Sequence, residues 1–326
     1  MRAPEFWHRR ESVLAALLAP LGELYGTAGR LRTRFAHPAR LARPVVCVGN
    51  LTAGGAGKTP VALALARALR LRGMAPHFLT RGYGGSMAGP LRVDPAKHGF
   101  REVGDEALLL AAEAPSWVAR DRPAGGRLAV AAGADLVIMD DGLQNPSLVK
   151  DLSLLVIDGG YGLGNGRVMP AGPLREPLAE ALLRVAAVVL VGADACGMAE
   201  RFEAHLPLLK AELVPDARAR ELAGKKVLAF AGIGRPAKFF ATLEALGCRL
   251  AAASAFADHH AYSPDDIMRL VEAAAAAGAE LVTTEKDLVR FPPEARGMAR
   301  AVRVELAWQN PAALAELLAP LLERHG

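Results

Sequence analysis

Near the start of the chain, apolar residues recur at three- and four-residue steps: Val13, Leu14, Leu17, Leu18, Leu21 and Leu24. That spacing predicts a helix from Glu11 to about Tyr25 with one apolar stripe, which Pro20 should kink or split. Trp7 and Tyr25 bracket the stripe, and Arg30, Arg32 and Arg34 follow it. Such a segment suits a helix lying in a membrane interface. It suits just as well a helix packed on the protein's own core.

From Pro44 the pattern changes to short apolar runs alternating with helical stretches. Strands are expected at Val45–Gly49, Pro76–Thr80, Ser116–Ala119, Asp135–Met139, Leu152–Ile157 and Val185–Val191, with helices at Pro60–Leu71 and Asp105–Ala114. This alternation implies an α/β fold with a mostly parallel sheet covered on both faces. A second, smaller α/β unit is expected from about Gly224. Its strands are Lys226–Ala231, Arg249–Ser254, Glu280–Thr283 and Ala301–Leu306, and its helices are Ala237–Leu246 and Pro264–Ala277. A closing helix starts at Pro311 with Asn310 as its cap and runs to about Ala319. The expected division is 1–43 for the N-terminal segment, 44–222 for the core and 223–326 for the smaller unit, with a linker around Val214–Leu222.

Composition narrows the class. Of 326 residues, 52% are hydrophobic and 22% charged, a balance that permits a large core and excludes disorder. The three cysteines, Cys47, Cys196 and Cys248, lie far apart with no metal-ligand spacing. Eight arginines and three glutamates fall between Met1 and Pro44, so the whole net charge of +5 sits at one end. With aromatics at only 5%, a nucleic-acid surface spread across the core is not expected. The apolar run Val13–Leu21 is too short to span a bilayer, which takes about 20 residues.

The chemistry begins at Val48-Gly49-Asn50-Leu51-Thr52-Ala53-Gly54-Gly55-Ala56-Gly57-Lys58-Thr59. A buried strand, a glycine-rich turn and a helix start form the setting of a phosphate-binding loop. Residues Thr52 to Thr59 (Thr52, Ala53, Gly54, Gly55, Ala56, Gly57, Lys58, Thr59) are the candidate nucleotide site. Backbone N–H groups would cradle phosphate oxygens, Lys58 would reach the β- and γ-phosphates, and Thr59 would bind Mg²⁺. The usual pattern has glycine where Thr52 stands. Leu136-Val137-Ile138-Met139-Asp140-Asp141 is an apolar strand ending in acids, the arrangement that holds Mg²⁺ beside such a loop. Together these define a P-loop NTPase core using a nucleoside triphosphate and Mg²⁺. Thr284-Glu285-Lys286-Asp287 has the letters of a guanine-reading motif in the wrong order, which argues against a GTPase.

Further motifs carry a resemblance. Thr80-Arg81-Gly82-Tyr83-Gly84-Gly85, Gly104-Asp105-Glu106, Asp140-Asp141-Gly142-Leu143-Gln144 and Pro170-Ala171-Gly172-Pro173-Leu174-Arg175-Glu176 recur in this order in the tetraacyldisaccharide 4'-kinases. So do Gly232-Ile233-Gly234-Arg235-Pro236, Asp258-His259 and Thr284-Glu285-Lys286-Asp287. The chain resembles that family over nearly its whole length. It departs at Ala107, where the family usually has proline, and at Asn145, where it has histidine.

The resemblance implies transfer of the γ-phosphate of ATP to the 4'-hydroxyl of a tetraacyldisaccharide 1-phosphate at the cytoplasmic face of the bacterial inner membrane. It implies a peripheral or monotopic monomer whose N-terminal helix meets an anionic surface. By the same resemblance Asp105 is the catalytic base and His259 its partner, with Lys58 the third catalytic residue. Read by itself, Asp105 at a helix start could be a simple cap, and His260 is a bystander. Arg81, Tyr83, Arg175 and Glu176 sit in loops after strands, where ligands collect in open α/β sheets, and are expected to bind the lipid headgroup. A P-loop kinase or ligase with a soluble acceptor is the alternative.

Overall fold

The computed structural model describes residues 4–9 and 11–322; Arg2 and Arg10 of the basic N-terminus lie outside the described residues. The strands are β1 (Val45–Gly49), β2 (Pro76–Thr80), β3 (Leu91–Arg92), β4 (Ser116–Val118), β5 (Leu136–Asp140), β6 (Leu152–Asp158), β7 (Ala187–Val191), β8 (Leu208–Pro215), β9 (Lys226–Ala231), β10 (Arg249–Ala255), β11 (Glu280–Thr284), β12 (Arg300–Val302) and β13 (Val304–Trp308). Among the described residues they form a nine-stranded sheet in the order β13-β8-β7-β6-β1-β5-β2-β4-β3 and a four-stranded sheet in the order β10-β9-β11-β12. Every neighbouring pair is parallel except the two edge pairs, β13–β8 and β3–β4.

Full burial of β1, β2, β5, β6 and β7 follows from cover on both faces. Val46 and Val48 pack to one side with α2 (Lys58–Arg70), while Val45 and Cys47 pack to the other. The remaining helices are α1 (Val13–Arg34), α3 (Phe100–Val103), α4 (Asp105–Ala111), α5 (Arg122–Ala131), α6 (Leu178–Leu182), α7 (Met198–Glu203), α8 (Pro236–Ala245), α9 (Pro264–Ala276), α10 (Glu285–Leu288) and α11 (Pro311–Leu322).

Four expectations need correction. Pro20 neither splits nor ends α1, which runs unbroken from Val13 to Arg34; a proline removes one backbone bond, and here that loss falls on the exposed side of the helix. The strand expected over Ala301–Leu306 is two strands that part at Arg303. β12 closes the small sheet, and β13 pairs antiparallel with β8 of the large one. The chain therefore returns. Leu314, Leu318 and Leu321 of α11 join the same core as Val61 and Leu65 of α2, so the segment from Val304 onward does not belong with the smaller unit, as the 223–326 division had it. Within the expected linker, Val214 and Pro215 are the end of β8.

Helix α1 lies on the large unit by its small residues. Ala15, Gly22 and Gly26 are buried, whereas Leu17 and Leu24 are 72% and 68% exposed. A Cβ on Gly22 would stand 2.8 Å from the Val168 carbonyl oxygen. The leucine stripe thus faces outward, and the reading of α1 as a core-packed helix fails for its apolar face. No described helix is long and apolar enough to cross a membrane.

Candidate functional site

Strand β1 delivers the phosphate loop from the middle of the large sheet. Gly57 caps α2 with φ 88°, a left-handed conformation that glycine adopts without strain. Lys58 opens the helix nearly buried. Its Nζ lies 3.1 Å from Asn50 Oδ1 and 3.6 Å from Asp141 Oδ1. The loop's first half is not a turn but a short ladder: Ala53 N–H donates to the Pro173 carbonyl at 2.8 Å and Arg175 N–H to the Leu51 carbonyl at 2.7 Å, with Thr52 bridged to Leu174. Thr52 has no positive φ, so its backbone does not demand the glycine of the usual pattern.

The parallel register of β1 and β5 sets Asp140 opposite Val48. Asp140 Oδ2 accepts from the Thr59 hydroxyl at 3.2 Å, while Oδ1 is buried with no partner. Burial, then the nearby charge of Glu106, push this carboxyl up to about 7 against the pull of Lys58. A buried acid with an empty oxygen beside a helix-start hydroxyl fits a divalent cation. Asp141 differs. Arg175 Nη1 lies 3.0 and 3.1 Å from its two oxygens. Burial raises its carboxyl, but Lys58 and Arg175 outweigh burial and hold it below the ordinary value.

The acid–imidazole pair forms across the two units. Asp105 is the first residue of α4, and its side chain is buried. Its Oδ2 lies 2.9 Å from His259 Nδ1 and accepts from Arg290 Nε at 2.8 Å; its Oδ1 accepts from the Glu106 N–H at 2.9 Å. Burial would raise this carboxyl, but the His259 hydrogen bond and the charges of Lys286 and Arg290 hold it well below the carboxylate range. His259 takes φ 58°, unusual for a side chain of its size. The Tyr83 ring stands edge-on to it at 5.5 Å. Lys286 reaches Glu106 at 3.1 Å, and Arg235 from the Gly232–Pro236 loop pairs with Asp158 and donates to the Gly55 carbonyl of the phosphate loop at 3.1 Å. The smaller unit therefore touches the phosphate loop and the acid–imidazole pair at once.

The other headgroup candidates divide. Arg175 joins the acids at the end of β5. Arg81 and Tyr83 are exposed beyond β2. Glu176 is turned to the Arg184 guanidinium and to Gln144 Nε2, the latter at 3.0 Å. His260 bonds Asp266 at 3.1 Å, outside the site. Sequence reasoning assigned no role to Asn50, Arg122, Asp158 or Arg290. Arg122 is buried at the start of α5, with Nη1 on the Ala119 carbonyl at 2.7 Å and Nε without a partner. Burial pushes it down to about 10, although Asp141 and Asp140 pull the other way. Its one sequence signal is its place just beyond a parallel strand.

A phosphate loop after the central strand, with an acid-ended strand in register beside it, makes this a P-loop kinase by class. A family model described as Tetraacyldisaccharide-1-P 4'-kinase matches residues 14–323. The chain belongs to that family. A tetraacyldisaccharide 4'-kinase of Rhodospirillum rubrum is 55% identical over 99% of this chain and 98% of its own length. One from Methylorubrum extorquens is 56% identical over 98% of each. Among solved structures, LpxK from Aquifex aeolicus in complex with ATP is 28% identical, with a TM-score of 0.76 over 95% of this chain and 99% of that one.

Proposed function

We propose that this chain transfers the γ-phosphate of ATP to the 4'-hydroxyl of a tetraacyldisaccharide 1-phosphate, giving the bis-phosphorylated lipid. The observation that carries this reading is the Asp105–His259 pair, joined at 2.9 Å across two units beside the phosphate loop, in a chain of this family. ATP is the donor bound by the Aquifex relative. Phosphoryl transfer asks the protein for positioning and charge rather than covalent chemistry. Lys58 reaches the transferring phosphate, and Asp141 sets Lys58 and Arg175 around it. Asp140 and Thr59 would hold Mg²⁺, which when bound would neutralise phosphate charge.

A carboxylate held as low as Asp105 is a poor proton acceptor. Being ionised, it can only accept, so Nδ1 of His259 donates to it, and in the neutral ring the lone pair then sits on Nε2. The sugar hydroxyl gives its proton to Nε2, and Asp105 orients the ring and stabilises its charged form. This reverses the roles expected from resemblance. Arg81 and Tyr83, exposed beyond β2, line the approach to the headgroup phosphate.

The outward leucines of α1, with Arg34 and its basic neighbours, dock the enzyme on the anionic cytoplasmic face of the inner membrane as a peripheral or monotopic monomer. A soluble acceptor would leave that stripe without a use. The test is an ATP-dependent assay on tetraacyldisaccharide 1-phosphate with the position of the new phosphate determined. Label at the 4'-position supports the proposal. No transfer, or transfer to a soluble sugar alone, overturns it.

A further inference from the structure

One cation beside the acid–imidazole pair serves neither the phosphate loop nor the acceptor. Arg290 follows α10 in the smaller unit, with 1% of its side chain exposed. Nε donates to Asp105 Oδ2 across the seam at 2.8 Å. Nη1 stays within its own unit, donating to the Gly232 carbonyl at 2.9 Å and to Asp287 Oδ1 at 3.1 Å. Asp287 is itself fully buried. Its Oδ1 also accepts from the Gly232 N–H at 2.8 Å and from the Tyr262 hydroxyl at 2.7 Å, and its Oδ2 from the Thr284 hydroxyl at 2.5 Å.

The Gly232 carbonyl has a second donor. The backbone N–H of His259 reaches it at 3.1 Å. One oxygen therefore holds both Arg290 and the residue whose backbone takes the left-handed conformation. Both members of the pair rest on this assembly: Asp105 through the guanidinium, His259 through the shared carbonyl.

We propose that Arg290 is the positioning residue of the reaction, orienting the Asp105 carboxylate and, through Gly232, the backbone from which His259 reaches it. This rests on the reading of Asp105 and His259 as the proton-handling pair. Stability alone gives a weaker account of the residue. A buried ion pair contributes little over an apolar filling of the same volume. Arg290 also leaves Nη2 buried without a partner, a cost that a purely structural filler would avoid. What the planar fork supplies is direction: two fixed donors, one on each side of the seam. An ammonium on a flexible stem cannot hold both.

The experiment measures kcat and KM for Arg290→Lys, Asp105→Ala and the double variant. Misplacing a reacting group by about 1 Å costs on the order of 10²-fold. Arg290→Lys should therefore lose roughly 10²-fold in kcat, with KM for ATP little changed. In the Asp105→Ala background the same substitution should cost almost nothing more, because residues acting as a unit are non-additive. Wild-type kcat in Arg290→Lys, or losses that multiply in the double variant, overturn the positioning role. If Arg290→Lys does not fold, Asp287→Asn takes its place, since Asp287 holds Arg290 and Gly232, and the same two outcomes decide. Near-normal turnover of Asp105→Ala would instead remove the pair reading itself, which separates the two failures.

Discussion

Two buried carboxylates stand in the site, Asp105 at the seam between the units and Asp140 at the end of β5, and burial pushes both toward the neutral form. At the seam, Asp105 meets His259, Lys286 and Arg290 and stays charged. At the end of β5, Asp140 meets Thr59, feels Glu106 and Asp141, and keeps one oxygen empty. The seam is electrostatically complete within the chain. At Asp140, Lys58 pulls against burial without offsetting it, and the empty carboxylate oxygen is where a divalent cation would bind. The lesson is that a buried acid marks a catalytic device or a cation site according to who supplies its counter-charge.

Lys58 gives the strongest test, because among the described residues it is the one lysine set among the acids at the end of β5. Lys58→Ala should lower turnover on the order of 10³-fold or more. Near-normal turnover with the fold intact would remove this loop as the site. Next, Mg²⁺ should separate the two acids. Asp140→Asn should lose about 10²-fold and recover in part as Mg²⁺ is raised, whereas Asp105→Asn should not recover at any Mg²⁺ concentration. Equal rescue of both would erase the distinction.

Stability should separate them by sign. In metal-free buffer at neutral pH, Asp105→Asn should cost about 3 kcal/mol by denaturant titration, since it strips Arg290 of its partner across the seam. Asp140→Asn should gain about 1 kcal/mol, relieving a carboxyl buried with one oxygen unpaired. The pH dependence follows with opposite slopes. Asp105 has a lowered carboxyl, so its contribution is present above the ordinary carboxylate value and is lost as pH falls through the folded one. Asp140 has a raised carboxyl, so metal-free stability falls as pH rises toward about 7. Melting data on the two asparagine variants, from about pH 2 to 5 for Asp105 and about pH 4 to 8 for Asp140, would each show one of these slopes abolished.

What the sequence made legible was local. The phosphate loop, the acid-ended strand and most of the buried strands are contiguous runs whose chemistry and periodicity lie side by side. Arg290 acquires meaning only through Asp105, far along the chain, and no run announces it. The β12–β13 junction was hidden because one apolar stretch serves two sheets. Helices α1 and α2 make the same point. In α2 the apolar stripe of Val61, Leu65 and Leu69 is buried. In α1 a comparable stripe faces outward, and the docking face is Ala15, Gly22 and Gly26, residues too small to register as a hydrophobic signal. Periodicity reports that a face exists, not what covers it.

The central claim is that Asp105 and His259 act as one proton-handling unit. It is tested most directly by turnover of Asp105→Ala, His259→Ala and the double variant at saturating ATP. The account predicts that each single loses roughly 10² to 10⁴-fold and that the double is little worse than the poorer single, with ATP affinity unchanged. Losses that multiply would contradict it.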